Sequence, residues 1–222
     1  MRIGRQEAPH TAICTSDAES ITVRGRDLCG DIIGRLDFTS YFWLLVTGRQ
    51  PDETQLFFAN AVLAAIAEHG LVPSVVAARM TLAAAPEAMQ GAVAAGLLGC
   101  GSVVLGSAEA CGRFLADCLA AQDEGGTTVE EAAECAVRDA VPGVYGRSLP
   151  VNVNGAIPAV MLDVGFPLGA LKGIALLART AGLIGHLQEE TERPIGFILS
   201  GQAASAIDYV GPPPPPRTGE PR

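Results

Sequence analysis

From Gly91 to Ala108 the chain carries no charged residue, and glycine recurs at positions 91, 96, 99, 101 and 106. A run of this length and polarity either crosses a bilayer or lies in a helical core whose backbones approach closely. Neither an aromatic belt nor a flanking Lys/Arg cluster accompanies it, so the second reading is the better one. The remaining composition agrees. The chain is 49% hydrophobic but only 5% aromatic, so its core must be built from Ala, Val, Leu and Ile on close helices, which the 26 glycines permit. At 222 residues it is long enough for one large domain, or one domain with a smaller lobe, stabilised by apolar burial alone.

Charge and cysteine usage remove several function classes. A net charge of -9 and a pI near 4.8 argue against a nucleic-acid partner, because phosphate neutralisation needs clustered Lys and Arg. Any anionic ligand must be held by a few placed arginines. The six cysteines (Cys14, Cys29, Cys100, Cys111, Cys118, Cys135) form no C-x-x-C pair, and the chain opens with no secretory pattern. Reduced, buried thiols in a cytoplasmic protein are therefore expected.

Along the chain, residues 1–19 are polar and unpatterned and are expected to be a flexible N-terminus. "SITVRGRDL" is a short strand-like run that turns at Gly25. "LDFTSYFWLLVTG" has Thr39 as N-cap and Gly48 as stop, and "PDETQLFFANAVLAAIAEHG" opens with Asp52 and Gln55 at capping-box spacing. In the latter, Leu56, Ala59, Leu63 and Ile66 recur at helical intervals before Gly70. Ser74 is placed to cap "VVAARMTLAAA", Pro86 to start the glycine-rich segment, and Thr128 with Glu131 to cap a short helix after "DEGG". From Pro167 a long helix carries Leu168, Leu171, Ile174, Leu177, Ala181, Ile184 and Leu187, and "PIGFIL" reads as a strand or extended segment. The "GPPPPPRTGEPR" end, 211–222, is expected to be a disordered polyproline tail. The expectation is an all-α protein.

Few residues can carry chemistry. No nucleophile-elbow, phosphate-loop or H-E-x-x-H motif occurs, and the three histidines, His10, His69 and His186, have no metal-ligand spacing, so no metal is expected. His69 could serve a helix C-terminus and His186 could be a packed core residue. Three arginines stand in apolar surroundings: Arg79 in "VVAARMT", Arg179 in "ALLARTAG" and Arg193 in "ETERPIG". Their planar forks suit a dicarboxylate or a buried ion pair with Asp or Glu. The residues alone favour ion pairing.

The segments "ITVRGRDL", "GRLDFTSYFWLLVTGRQPDETQLFFANAVLAAIAEHGLVPSVVAAR", "PEAMQGAVAAGLLGCGSVVLGSAEA", "LPVNVNGAIPAVMLDVGFP" and "ARTAGLIGHLQEETERPIG" occur in an order that resembles the citrate synthase superfamily. The likeness is greatest to its short citryl-CoA lyase-like branch and covers residues 20–198. The resemblance implies a citrate synthase-like multi-helix fold with a large helical domain at 20–210 and a reduced small lobe at roughly 91–165. It also implies a dimer that makes or breaks a carbon–carbon bond between an acetyl-CoA unit and a 2-oxo acid. The coenzyme A thioester is then a substrate, and no cofactor is tightly bound. By the same resemblance His69 contacts the oxo acid, Arg179 binds its carboxylate, and Arg193 is lent to the neighbouring subunit's site. His186 matches a recurrent histidine with no assigned role.

The catalytic set departs from the pattern. The enol-stabilising histidine falls at about Val104, where no imidazole exists. The small lobe is shortened near 143–148, which removes a second histidine and an arginine. Asn154 stands at the position of the catalytic aspartate, and an amide can hold a hydrogen bond but cannot act as a carboxylate base. The expected function is thus impaired citryl-CoA lyase or citrate synthase-type chemistry on an acyl-CoA and a small di- or tricarboxylate. The rival is a non-catalytic homologue that binds a CoA ester or carboxylate, or a subunit paired with a complete enzyme. A purely structural helical dimer or a membrane-associated helix bundle is a third reading, and a helix-initiating turn with asparagine caps is a sufficient bland account of "NVN".

Overall fold

A computed structural model describes residues 10–101, 105–125 and 153–212. Among these, helices dominate, and the only sheet is a small antiparallel meander of β1 (Cys14–Ser16), β2 (Ile21–Val23) and β3 (Arg26–Asp27). The all-α expectation holds. The meander begins earlier than the sequence pattern indicated, since β1 lies inside the stretch read as flexible and pairs Cys14 with Val23. Its second turn uses Arg24 (φ 51°) and Gly25 (φ 77°), both left-handed, as a two-residue hairpin requires. Arg24 tolerates that conformation while its guanidinium donates to the Leu45 carbonyl at 2.6 and 3.1 Å. A π-helical turn at Leu28–Ile32 leads into the helices.

Helix α1 (Phe38–Thr47) is capped by Asp37, whose carboxylate accepts from the Ser40 N–H at 2.9 Å. Thr39 lies inside the helix and gives its hydroxyl to Asn60, so the cap sits two residues earlier than expected. Gly48 (φ 78°) ends the helix. Helix α2 (Glu53–Ala67) has the capping box in full: the Asp52 carboxylate accepts from Gln55 N–H, and the Gln55 side chain accepts from Asp52 N–H. Helix α3 (Pro73–Ala84) starts with Pro73, and its cap position is Val72. Ser74, expected to cap it, is already inside the helix because Pro73 occupies the first helical position, and its buried hydroxyl has no partner among the described residues.

Helix α4 (Met89–Leu98) takes part of the glycine-rich run, and α5 (Gly106–Gly125) starts where the run ends. The uncharged stretch is therefore not one helix. Helix α6 (Val153–Asp163) is followed by a 3₁₀ turn at Leu168–Ala170, then α7 (Leu171–Glu192) and α8 (Gly196–Ser205). "PIGFIL" is thus the first turns of a helix, not a strand. The Glu190 carboxylate, from the last turn of α7, accepts from the N–H groups of Ile195 and Gly196 and so supplies the cap. Thr128, Glu131, Val104 and the 143–148 connection lie outside the described residues, as does most of the proline-rich tail.

The described chain divides into two compact units, Met1–Gly70 with Gly99–Gly182, and Leu71–Leu98 with Leu183–Arg222. In the first unit Trp43, Ile66, Ile157, Met161, Phe166, Leu171 and Ile174 form the core, with Trp43 and Phe166 rings 5.1 Å apart. Each large apolar side chain buried there contributes roughly 1.5–3 kcal/mol. Gln55 ties α2 to the end of α6 by donating to the Val164 carbonyl at 2.8 Å.

In the second unit Val75, Ala78, Leu82, Ala92, Leu183 and Leu187 form the core. Gly96 makes it possible, since a Cβ there would lie 2.8 Å from the Leu183 side chain and 3.1 Å from Ala78 Cβ. Helix α7 buries Leu171, Ile174, Ala175 and Ala178 in one unit and Leu183 and Leu187 in the other. Ile184, placed on the buried face by the sequence pattern, is 46% exposed, because that pattern ran one continuous stripe through a helix serving two cores. By length and composition alone, Leu168–Glu192 could also cross a membrane, but a third of that window is already buried in protein.

Candidate functional site

Helix α7 places Arg179 on the buried side, next to Ala178 and one turn after Ala175. Arg179 is 4% exposed, and its Nε and Nη1 have no hydrogen-bond partner among the described residues. Burial of a guanidinium costs several kcal/mol unless its donors are met. Here Nε and Nη1, which face opposite edges of the guanidinium, are both left open among the described residues, and each can donate to a carboxylate oxygen. The sequence favoured ion pairing for all three arginines, and for Arg179 no ion pair is present among the described residues.

His69 lies two residues beyond the end of α2, and it is exposed. The chain leaves the helix at Glu68 in extended conformation, and Glu68 Oε1 accepts from the Gly70 N–H at 2.5 Å. This end of α2 rests on α7 at Gly182, where a Cβ would overlap the Ala67 carbonyl oxygen and lie 3.2 Å from Glu68 Oε2. Residue 182 is three positions after Arg179, on the same side of the helix. The fold therefore brings the segment bearing His69 to the part of α7 that bears Arg179. Glu68 joins this neighbourhood and was not singled out from the sequence; its place directly before His69 was the available signal.

Asn154 is the second residue of α6, and its main chain is helical. Four residues on, Pro158 has no N–H to give to the Asn154 carbonyl, so the first turn of α6 lacks one of its helical bonds. Cys111 Sγ of α5 approaches the next carbonyl, Gly155 O, at 4.0 Å, and burial pushes the Cys111 thiol pKa up. The Asn154 side chain itself is outside the described residues.

The other two arginines belong to the second unit and behave differently from Arg179. Arg79 is 2% exposed and fully engaged: Nε donates to Glu190 Oε2 at 2.6 Å and Nη1 to Glu189 Oε2 at 2.8 Å. Nη2 donates to the Arg193 carbonyl at 3.2 Å, and His186 Nδ1 lies 3.4 Å from Nη1. Burial acts to raise the Glu190 pKa, but the Gly196 N–H, Arg79 and the Ile195 N–H outweigh it and hold the carboxyl below its ordinary value. The Arg79 hydrogen bond does the same for Glu189. Arg193 follows α7, and its side chain is exposed. Among the described residues no group of three His, Cys, Asp or Glu side chains is arranged to hold a metal ion.

No protein-family model matches the sequence, and no curated protein matches it. Solved structures do. The citryl-CoA lyase from Hydrogenobacter thermophilus superposes with a TM-score of 0.76 at 24% identity, covering 97% of each chain. The ATP citrate lyase from Methanothrix soehngenii, in complex with citrate and coenzyme A, gives a TM-score of 0.70 at 18% identity. A variant of the Methanosaeta concilii ATP citrate lyase, in complex with (3S)-citryl-CoA, gives 0.71 at 18%. The chain is covered to 95% in both comparisons and spans 43% of those longer chains. At these identities the likeness is one of fold. The chain has a citrate synthase/citryl-CoA lyase-like fold, mostly helical.

Proposed function

We propose that this protein binds a small di- or tricarboxylate and a coenzyme A thioester, and that it belongs to the chemistry of citryl-CoA cleavage or formation with an impaired catalytic set. The observation that carries the reading is Arg179, buried with two donors that have no partner among the described residues, beside the segment that delivers His69. A ligand carboxylate would accept from one of these open edges, and the His69 ring would hydrogen-bond a neighbouring oxygen of the same ligand. The citrate, coenzyme A and citryl-CoA held by the structurally similar ATP citrate lyases support this ligand class. Arg193, exposed beyond α7, fits a role at a neighbouring subunit's site, so a homodimer or a heteromer with a complete homologue belongs to the reading. Among the described residues Cys14, Cys29, Cys100 and Cys111 are not in disulfides, which suits a cytoplasmic protein, although Cys14 and Cys29 are exposed rather than buried.

Turnover is a separate matter. In the aspartate-based pattern a carboxylate removes or returns the acetyl-methyl proton, and Asn154 cannot do so. The second reading, a homologue that binds these ligands without turning them over, is favoured by that asparagine together with Val104. Calorimetric titration with citrate and with acetyl-CoA, run beside a thiol assay for coenzyme A release from citryl-CoA, tests both. Citrate binding that is lost in Arg179→Ala supports the ligand assignment. Citrate affinity unchanged in that variant overturns it. Coenzyme A release distinguishes a working lyase from a binding homologue.

A further inference from the structure

The Arg79 network is built around a turn rather than a core. Glu190 Oε1 accepts from Ile195 N–H at 2.9 Å and from Gly196 N–H at 2.7 Å, while Oε2 accepts from Arg79 Nε at 2.6 Å. Arg79 Nη2 reaches the Arg193 carbonyl at 3.2 Å, and Arg193 N–H donates to the Glu189 carbonyl at 2.7 Å. The turn between α7 and α8 is therefore held at Arg193 and at both residues after Pro194. Packing closes the same turn from below: a Cβ on Gly196 would lie 2.5 Å from Ala83 Cβ and 2.9 Å from the Arg79 carbonyl oxygen. Arg193 in this turn is exposed, and its charge is near enough to Glu189 to help hold that carboxyl below its ordinary value.

A buried ion pair adds little to net stability, since well-packed apolar residues of the same volume do as well. What such a network supplies is direction: charge-assisted bonds fix backbone atoms within narrow limits. We propose that Arg79 and Glu190 are positioning residues for Arg193, holding its turn so that the guanidinium meets a carboxylate of the ligand at a neighbouring subunit's site. The inference rests on the carboxylate-binding reading above. Arg79 and Glu190 do not touch the ligand. Glu189 and His186 flank the pair, with Glu189 as the exposed acceptor that satisfies the remaining side of the Arg79 fork.

The test is a double-mutant cycle on citrate affinity, measured by calorimetry on the full-length assembled protein. Arg193→Ala should weaken citrate binding about 10- to 100-fold, the loss typical of one charge-assisted contact. Arg79→Lys and Glu190→Gln should each weaken it several-fold, and adding Arg193→Ala to either should give no more than the loss from Arg193→Ala alone. Glu190→Gln retains an oxygen for the Ile195 and Gly196 N–H groups and the side-chain volume, so it serves where Arg79→Lys fails to fold. Losses that add in the double variants would show a merely structural role and overturn the inference. So would Glu190→Gln at full citrate affinity with a lowered Tm. If citrate binding depends on Arg179 but not on Arg193, the positioning proposal fails alone. If the wild type binds no citrate, the carboxylate reading fails and takes this inference with it.

Discussion

Gly182 of α7 packs directly on the main-chain carbonyl of Ala67 at the end of α2, with no space between them for a β-carbon. The contact joins the two segments that carry the candidate ligand-binding residues. His69 lies two positions beyond Ala67, and Arg179 lies three positions before Gly182.

Gly182→Ala should therefore disturb both stability and binding. Forcing a methyl group against that backbone oxygen is an overpacking change, typically costing about 1–3 kcal/mol. Citrate affinity should fall with it. Gly185 in the same helix has nothing within 4 Å of a Cβ, so Gly185→Ala should instead stabilise by about 0.5–1 kcal/mol through helix propensity. Urea unfolding of both variants, with citrate titrations, checks the contrast; equal effects at the two positions would remove the contact from the argument.

Arg179→Met should exchange function for stability. It removes a buried guanidinium with two donors unmet among the described residues and leaves a flexible apolar side chain of similar length. An increase of about 1 kcal/mol, or a Tm about 2–4 °C higher, is expected for a chain of this size. Wild-type protein in saturating citrate should rise further, by about 2.7 kcal/mol at a hundred times Kd, and the Met variant should not respond. Differential scanning fluorimetry with and without citrate reads both effects.

Asn154→Asp restores a carboxylate at the start of α6. Losing one positioned acid or base costs about 10²- to 10⁴-fold, and groups that act together do not lose rate additively. Since Val104 also replaces the expected imidazole, the variant should stay nearly inactive toward citryl-CoA while still binding a CoA ester. A large gain in thiol release at neutral pH would mean that the asparagine alone limits the wild type.

The Arg79–Glu190 pair predicts acid sensitivity. The native Glu190 carboxyl has a pKa below its ordinary value of 4.5, so the folded state holds that proton less readily than the unfolded chain. The stabilisation is fully present above about pH 4.5 and is lost as pH falls through the lower folded value. Urea midpoints measured between neutral pH and pH 3 should drop in the wild type and drop less steeply in Glu190→Gln, which has no proton to take up. Parallel profiles would show that this pair does not carry the acid response.

Self-association follows from the apolar surface of the second unit. Leu98 at the end of α4 is 86% exposed, and Phe197 and Ile198 of α8 are 73% and 58% exposed. Side chains of this size are more often covered than left in water. Light scattering should report a dimer or larger species, and Leu98→Asp or Phe197→Asp should shift it toward monomer without loss of helicity. A wild-type monomer at micromolar concentration contradicts the expectation.

How much of this was legible beforehand depended on the range of the interaction. The Asp52/Gln55 capping box, the Gly48 stop and the hairpin at Gly25 act over a few residues, and their side-chain chemistry is written beside the backbone they satisfy. Asp37 and Thr39 are both good cap residues two positions apart, and only the tertiary bond of Thr39 to Asn60 and that of Asp37 to the Ser40 N–H decide between them. The helical nature of residues after "RPIG" was missed because its cap, Glu190, lies before the turn and needs Arg79 to hold it.

The sequence by itself determined an all-α chain of closely packed helices, the order of its segments, and the residue types available to a carboxylate site. It did not distinguish Arg79 from Arg179, since each sits among alanines on an apolar helix. Tertiary structure decided their fates. Arg79 meets Glu189 and Glu190, more than a hundred residues away, while Arg179 meets no partner among the described residues. The reason is physical: burial sets the cost of a charge, and only the folded chain determines which acceptors are close enough to offset it.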